Sequence, residues 1–279
     1  MRLSLLAGSG ALVPAAVAAA QQAGHKVQVL SLTPRNDLPG VKVVMADVGN
    51  PLGILWSLKV FRTTHIVMAG AISLSDKTRE ALAKYAAGNG EKRSTAQGPV
   101  STGDATLSYL ATSLERMTGA KVIGVQEIAP DLLAPDGRIA GPVLDAEAFA
   151  GVRFALDAAK AIGRIDLGQA VVATGRRLIA AEDIGGTDAL LRRVADLRAS
   201  GLTGDGGDPL ILAKAAKPGQ PEFADLPAIG PDTVSNAATA GIDIVAVEAG
   251  RTLIIEREAV AAAADAAGIS VVGVALADG

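Results

Sequence analysis

From Met1 to about Ala134, short apolar segments rich in β-branched residues alternate with segments that have helical spacing. Strands that are apolar on both faces and separated by helices indicate a parallel sheet covered on both sides. Because crossovers between parallel strands are almost always right-handed, this order predicts a doubly wound domain. The predicted strands are Leu3–Ala7, Lys26–Ser31, Val41–Ala46, His65–Ala69 and Lys121–Val125, and the predicted helices are Ala11–Ala23, Pro51–Phe61, Asp76–Ala87 and Asp104–Thr118.

A cluster of Pro, Asp and Gly residues separates this half from the next. Such residues are typical of turns, so we place a linker at residues 135–144, between a domain at 1–134 and a second at 145–279. The second domain opens with helical spacing over Asp145–Ile162. The fold class predicted for the chain is α/β, with an N-terminal Rossmann-like parallel-sheet domain joined to a C-terminal mixed α/β (α+β) domain.

Two segments of the second half resemble each other, Val171–Ile179 and Ala246–Ile254. Each has the pattern strand, glycine-containing turn, strand, which predicts a β-hairpin. Each is followed by helical spacing, and two further apolar runs predict additional strands. These helices are expected at Thr187–Ser200 and Glu256–Ala267, and the strands at Leu210–Lys214 and Ile269–Val274.

Composition excludes several classes of protein. There are 26 basic and 29 acidic residues, so the net charge of −3 has the wrong sign for a non-specific nucleic-acid binder. The absence of cysteine excludes disulfides, thiol catalysis and thiolate metal sites. The only histidines, His25 and His65, are too few for a multi-histidine metal cage.

The N-terminus has two interpretations. Met1-Arg2, an apolar run and Ala18-Ala19-Ala20 resemble a secretory signal with its cleavage site. Gly8, Gly10 and Pro14 would interrupt the apolar helix that a signal needs, which favours strand, turn and helix within the fold. No other stretch approaches the roughly 18–20 apolar residues of a membrane span. We therefore expect a cytoplasmic protein.

Gly8, Ser9 and Gly10 lie where the first predicted strand meets the first helix. Free backbone N–H groups at a helix start attract phosphate, and glycines allow a tight turn there. The dinucleotide fingerprint is incomplete, because Val13 stands where it has its third glycine. Phosphate contact and a purely structural turn both remain open. A nicotinamide-dependent oxidoreductase would depend on this motif alone.

A second candidate is the start of the helix predicted after Gly186. Thr187 is a natural N-cap, and Asp188 suits the positive end of the helix dipole. Capping alone explains both residues, and a substrate contact at this helix start is the alternative. If the helix start lines a cleft, Arg192 could reach an anionic group.

Lys214 and Lys217 leave a predicted strand three residues apart, and Asp225 follows within one loop. The two ammonium groups could hold phosphate oxygens while the carboxylate binds a hard divalent cation. A solvated lysine pair and a simple turn at Asp225 explain the same residues without any function.

Several motifs then occur in a specific order and spacing. Together they resemble the two-domain UDP-2,3-diacylglucosamine pyrophosphatases of lipid A biosynthesis, the type unrelated to calcineurin-like phosphatases. The resemblance covers essentially the whole chain and is densest from Ile162 to Val274. The motifs that carry it are Leu6–Leu12, Asp166–Gln169, Gly186–Leu197, Lys214–Pro218, Asp225–Gly230 and Glu248–Arg251.

The resemblance implies Mg²⁺-dependent hydrolysis of UDP-2,3-diacylglucosamine to UMP and 2,3-diacylglucosamine 1-phosphate (lipid X), in a cleft between the domains. It places the catalytic aspartate on Asp225, which would hold Mg²⁺ or orient water, with Lys214 and Lys217 offsetting charge. The residues expected to bind substrate are Gly8, Ser9, Gly10, Gln169, Thr187, Asp188, Arg192 and Glu248.

The first domain departs from the family pattern. Leu74-Ser75 replace an Arg-Pro pair, a lysine expected near Gly53 is missing, and a Gly-Asp-Asp run is reduced to Gly103-Asp104-Ala105. Lost basic residues suggest an alternative, a catalytically diverged nucleotide-sugar or lipid-binding relative. The expected partners are the lipid substrate and, at most transiently, the inner membrane, and a homodimer is left open.

Overall fold

The computed structural model describes residues 1–47, 50–70, 104–203, 207–219 and 226–276. The described chain forms two units, one over Met1–Pro130 and one over Asp131–Gly219 together with the chain from Leu226 onward. The predicted helix Asp76–Ala87 lies outside the described residues. So do Leu74, Ser75 and Gly103, where the first domain departs from the family pattern.

The first unit contains a five-stranded parallel sheet, as the alternating pattern predicted. Its order is β3-β2-β1-β4-β5. The first strand is therefore central, with β2 and β3 on one side of it and β4 and β5 on the other. This order is that of a doubly wound domain, and it confirms the Rossmann-like class. The strands are β1 (Arg2–Ala7), β2 (Lys26–Ser31), β3 (Lys42–Met45), β4 (His65–Ala69) and β5 (Lys121–Ile123).

Three helices of the first unit agree with the apolar periodicity, namely Leu12–Gln22, Pro51–Val60 and Asp104–Thr118. The short helix Val125–Ile128 was not predicted, and it begins at the residue where a strand was expected to end. The helix Pro51–Val60 begins with proline at a position that needs no N–H donor, and Asn50 caps it by accepting from the Gly53 N–H at 3.2 Å. One core of this unit packs Leu58 and Leu114 against Leu30 and Ile66 of the sheet.

The second unit contains a six-stranded mixed sheet of order β6-β13-β11-β9-β7-β8. The three middle strands β9, β11 and β13 are parallel, and the other three run antiparallel to their neighbours. A separate pair, β10 and β12, lies outside it. The strands are β6 (Gly137–Ala140), β7 (Ala170–Thr174), β8 (Arg177–Ala181), β9 (Leu210–Lys214), β10 (Ala228–Ile229), β11 (Ile244–Glu248), β12 (Leu253–Ile254) and β13 (Ser270–Val274).

Both faces of this mixed sheet are buried. Along β9, Ile211 and Ala213 pack in the core beneath the helix Ala146–Arg164, while Leu210 and Leu212 belong to the core on the opposite face. Alternating residues of a strand point to opposite faces, so an apolar run such as Leu210–Ala213 covers both. The opposite face is covered by the helices Gly186–Ala199, Pro231–Ala240 and Arg257–Ala267.

One of the two hairpins predicted in the second half does not form. The hairpin at Val171–Ile179 forms, but the one predicted at Ala246–Ile254 does not, because β11 and β12 belong to different sheets. After Glu248 the chain leaves the sheet: the Gly250 N–H donates to the Ala134 carbonyl at 2.8 Å and the Leu253 N–H to the Pro227 carbonyl at 2.8 Å. These contacts, distant in sequence, replace the ladder that a hairpin would need.

The stretch predicted as a linker, residues 135–144, is also part of the second unit. It contains β6, the edge strand that pairs with β13. The division between the units falls instead between Pro130 and Asp131. Turn residues at Pro135 and Gly141 flank a short edge strand, which in sequence alone is hard to distinguish from a connection.

Among the described residues, no helix is both long and apolar enough to cross a bilayer.

The glycine turn after β1 fits closely against the end of β4. The Gly8 N–H donates to the Ala69 carbonyl at 2.9 Å, and a Cβ added to Gly70 would lie 2.4 Å from the Ser9 carbonyl oxygen. Gly70 also has a φ of +82°, which side chains rarely adopt. Only glycine therefore allows the β1 turn and the β4 end to approach this closely.

We predict that Gly70→Ala lowers the free energy of unfolding by about 3 kcal/mol or more, from backbone strain and steric overlap together. Gly40→Ala is the matched control, because Gly40 has a φ of +74° with open space around it. The control should cost only about 1–2 kcal/mol for the left-handed conformation. Urea denaturation followed by circular dichroism measures both, and equal losses would contradict the close contact.

Candidate functional site

In the first unit, a guanidinium group lies over the glycine turn. Arg35 donates to the Gly8 carbonyl at 2.7 Å and to the Gly10 carbonyl at 3.0 Å, and its side chain is almost fully buried. Asp37 accepts from Arg35 at 2.9 and 2.6 Å, and this hydrogen bonding lowers the pKa of the Asp37 carboxyl. Asp37 thus holds Arg35 in place. No sequence motif pointed to Arg35.

The turn leads directly into the helix Leu12–Gln22. Gly10 has a φ of +98°, and the cap residue Ala11 provides no side-chain hydrogen bond to the first turn of the helix. Ser9 and Gly10 are exposed. Gly8 is buried and its N–H donates to the Ala69 carbonyl, so the part of the motif that a phosphate could contact is Ser9 and Gly10. A purely structural turn has the same geometry.

In the second unit, the strand register brings several candidate residues to one edge of the sheet. Ala170 pairs with Lys214, and Val247 also pairs with Lys214, so the start of β7 and the ends of β9 and β11 meet there. Gln169 and Glu248 therefore lie at the same edge as Lys214. We call the carboxyl ends of β9 and β11, with the start of β7, the active edge. In sheets with parallel strands, ligands bind outside the carboxyl ends of the strands.

The carboxylate of Glu248 is buried at this edge and has both oxygens engaged. Its Oε1 accepts from Lys160 Nζ at 2.6 Å, and its Oε2 accepts from the Ala216 N–H at 2.8 Å. Arg251 Nε lies 3.9 Å from Oε1, and the Glu248 side chain is only 3% exposed. The structure thus places Glu248, expected to bind substrate, in an internal network that links β11 to the helix Ala146–Arg164 and to the chain after β9.

Lys160 was not among the residues predicted for the site. It follows Val152 and Leu156 at four-residue intervals on the helix Ala146–Arg164, so a lysine takes the next place in a buried apolar row. A charge at such a position needs a partner beneath the helix. A lysine at this place in the apolar pattern of the helix was the sequence signal that could have indicated a buried ion pair.

The two lysines of the site are directed differently. Lys214 ends β9 and is buried, with its Nζ donating to the Ala228 carbonyl at 3.0 Å. Lys217 is half-buried, and its Nζ pairs with Asp166 Oδ1. A Cβ at Gly163 would lie 3.3 Å from Lys217 Cα, so this glycine lets the helix approach the lysine-bearing chain. Both ammonium groups are held at the active edge by oxygen atoms.

A second buried carboxylate, Glu182, lies just after β8. Its Oε2 accepts from the Gln169 N–H at 2.8 Å, and its Oε1 accepts from the Thr187 hydroxyl at 2.7 Å. The prediction that Thr187 caps its helix is therefore wrong, because Gly185 is the cap residue and Thr187 lies within the first turn. The nearby carboxylate competes successfully for the threonine hydroxyl. No motif in the sequence pointed to Glu182.

Asp188 and Arg192 lie on the exposed side of the same helix. Asp188 lies in the first turn, as predicted, and accepts from Asn236 Nδ2 at 3.1 Å. The active edge thus combines Gln169, Thr187, Lys214 and Lys217 around two buried carboxylates. Ammonium groups and a helix start together suit an anionic ligand.

Asp225, expected to be catalytic and to hold the metal ion, lies outside the described residues. The described chain resumes at Leu226, and Ala228, which accepts from Lys214, follows two residues later. Within the described ranges, no three His, Asp or Glu side chains are grouped as a metal cage requires. The described carboxylates at this edge instead accept from neighbouring protein groups.

Comparisons with known proteins point to one family. The family model "LpxI N-terminal domain" matches residues 2–132, and "LpxI C-terminal domain" matches residues 135–272. The UDP-2,3-diacylglucosamine pyrophosphatase LpxI of Caulobacter vibrioides is 36% identical over 279 residues, which cover 98% of this chain and 97% of the relative. The two family domains therefore follow each other here as one continuous chain.

Solved structures resemble the chain only weakly. A UDP-glucose 4-epimerase of Thermus thermophilus in complex with NAD covers 98% of this chain and 85% of its own at 17% identity, with a TM-score of 0.31. A short-chain dehydrogenase/reductase superfamily protein of Agrobacterium tumefaciens with bound NAD covers 48% of this chain and 37% of its own at 15% identity, with a TM-score of 0.25. Scores this low carry no information about function.

We predict that Lys160→Met lowers the free energy of unfolding by about 3 kcal/mol, because it leaves the Glu248 carboxylate buried without its nearest cation. The double variant Lys160→Met/Glu248→Gln removes both charges and should regain a large part of that loss. Chemical denaturation of the full-length variants measures the difference.

Lys121→Met is the control for this experiment. Lys121 is an exposed lysine whose Nζ lies 3.9 Å from Glu127, and its loss should cost less than about 1 kcal/mol. If Lys160→Met is no more harmful than Lys121→Met, the buried network does not stabilise the second unit.

Proposed function

Because this chain belongs to the LpxI family, we propose that it hydrolyses the pyrophosphate of UDP-2,3-diacylglucosamine to UMP and 2,3-diacylglucosamine 1-phosphate in lipid A biosynthesis. The observation that carries the proposal is the match to the Caulobacter vibrioides pyrophosphatase over 98% of the chain. The geometry of the second unit supports the active edge as the place where the diphosphate is bound.

Hydrolysis of a diphosphate depends on charge neutralisation and on positioning more than on covalent help from the protein. The attacking water oxygen ends on one phosphate product, and the bridging oxygen ends on the other. We assign Lys214 and Lys217 to the non-bridging phosphate oxygens, where their ammonium groups offset developing charge. Lys217 then exchanges some of its interaction with Asp166 for the substrate.

We assign Asp225 as the catalytic carboxylate, which would hold Mg²⁺ or orient the attacking water, with Mg²⁺ as the cofactor. Mg²⁺ is usually bound by one or two carboxylates together with substrate phosphates rather than by a complete protein cage. The absence of a three-acid group among the described residues is compatible with that mode. When bound, Mg²⁺ would neutralise phosphate oxygens, and Asp225 is the carboxylate proposed to hold it.

The remaining candidates take supporting roles. Ser9 and Gly10 are assigned to a phosphate contact at the start of the first helix, with the buried Gly8 shaping the turn. The exposed Arg192 is assigned to an anionic group of the substrate. Gln169, Thr187 and Asp188 line the helix start at the active edge. Glu248 has both oxygens engaged, so we assign it as a positioning residue that fixes the chain bearing Lys214 and Lys217.

The proposed location is the cytoplasm, with transient contact at the inner membrane from which a diacylated substrate is taken. Homodimer formation stays a prediction. The alternative function, binding of a nucleotide sugar or lipid without turnover, is favoured by the departures of the first domain from the family pattern.

Purified protein with Mg²⁺ should release UMP from UDP-2,3-diacylglucosamine in detergent micelles, and excess EDTA should stop the release until Mg²⁺ is restored. Asp225→Ala should abolish turnover, because the site then loses the carboxylate that would hold Mg²⁺ or orient the attacking water. Chromatographic quantification of UMP measures both effects, and circular dichroism checks that the variant is folded.

Asp232→Ala is the matched control, since Asp232 is an exposed aspartate in the first turn of the helix Pro231–Ala240. It should retain wild-type turnover. Wild-type turnover by Asp225→Ala would show that the catalytic assignment is wrong. Binding of substrate by the wild type without any UMP, across several divalent metals, would favour the alternative function.

A further inference from the structure

The helix Pro51–Val60 in the first unit is unusually apolar for the way it is packed. Six of its ten residues are Leu, Ile, Val or Trp, yet Leu58 is the one residue of the helix that is fully buried. A helix that is apolar on most sides normally lies inside a core or in contact with lipid. Ile54 and Leu55 are half-buried against the same core as Leu58, so packing within the described chain explains three of the six apolar residues. It does not explain the other three.

The most exposed apolar residues of the helix form one row. Leu52 is 72% exposed, Trp56 69% and Val60 54%. Their spacing of four residues places them above one another on a single face. Met45, at the end of the edge strand β3, is 58% exposed and lines a groove of about 260 Å³ together with Trp56. We call Met45, Leu52, Trp56 and Val60 the apolar row.

Exposed cations accompany the apolar row. Lys59 lies in the last turn of the helix and Arg62 just after it, and Lys42 begins the neighbouring edge strand. All three residues are exposed. The acidic residue of the groove is Asp47. Among the described residues next to the apolar row in the chain, these three cations therefore outnumber the one acidic residue that lines the groove.

We propose that the apolar row and its flanking cations dock the protein on an anionic lipid bilayer. Tryptophan is favoured at the boundary between lipid and water, and basic side chains are attracted to anionic headgroups. A short segment with few apolar residues gives weak and reversible attachment. The choice of a bilayer as the occupant depends in part on the proposed function, because a diacylated substrate is held in membranes.

A second copy of the chain is the less favourable occupant. Stable protein interfaces bury about 800 Å² on each partner and involve some 20–30 residues a side. The four members of the apolar row are too few for such a contact. A symmetric interface would also bring the flanking lysines and arginine of both copies into one contact region, where like charges would repel each other.

The chain offers a built-in probe, because Trp56 is its single tryptophan. Vesicles of phosphatidylglycerol and phosphatidylethanolamine should shift the fluorescence emission of the full-length protein to shorter wavelength and protect it from aqueous acrylamide. Vesicles of phosphatidylcholine alone should have a much smaller effect. High salt should weaken the response, because it screens the attraction to anionic lipid.

Leu52→Ser/Val60→Ser keeps the probe and should lower partitioning into anionic vesicles at least about tenfold, since two apolar contacts are lost. Val143→Ser/Leu202→Ser is the matched control, with two strongly exposed apolar residues elsewhere, and should bind as the wild type does. The hydrolysis of substrate in detergent micelles should be equal for all three proteins if they are folded.

An unchanged emission at every vesicle concentration would overturn the proposal, as would equal binding by the two double variants. A shift to shorter wavelength that grows with protein concentration in the absence of vesicles would overturn it in favour of a second copy. Vesicle binding by a protein without hydrolase activity would refute the proposed function and leave the docking surface intact.

Discussion

The buried carboxylate of Glu248 is the interaction on which the arrangement of the second unit depends. It ends β11, and its two oxygens accept from Lys160 on the covering helix and from the Ala216 N–H beyond β9. An ionised carboxylate in a core is tolerated only when it is paired and hydrogen-bonded. The requirement to satisfy one buried charge therefore fixes three separate segments relative to one another.

The positions of the two lysine side chains at the active edge depend on this arrangement. Lys214 precedes the anchored Ala216 and Lys217 follows it, so fixing the backbone at Ala216 limits where both ammonium groups can reach. The glycines nearby serve the same purpose, since Gly163 lets the helix approach Lys217 and Gly168 lies against Glu182. Preorganised cations of this kind are what the cleavage of a diphosphate requires, because little reorganisation remains to be done during the reaction.

The strands and most helices could be predicted from the sequence, because two-faced apolar runs and helical spacing are local patterns. The features that could not be predicted depend on partners distant in the chain. The prediction of a second hairpin was wrong because backbone hydrogen bonds to Ala134 and Pro227 take the place of a local strand ladder. The prediction that Thr187 caps its helix was wrong because its hydroxyl donates to Glu182. Residues 135–144 looked like a connection because a short edge strand has a weak pattern. Lys214 and Gln169 were found by motif, whereas Lys160 and Glu182 acquire their roles only through tertiary contacts.

The central claim is that the substrate diphosphate binds at the active edge. Backbone hydrogen–deuterium exchange on the Asp225→Ala variant, with and without UDP-2,3-diacylglucosamine in micelles, tests it directly without turnover. Exchange should slow over residues 214–219 and at the start of the helix Gly186–Ala199 when substrate is added. Unchanged exchange in both segments, with protection appearing only in other parts of the chain, would contradict the claim.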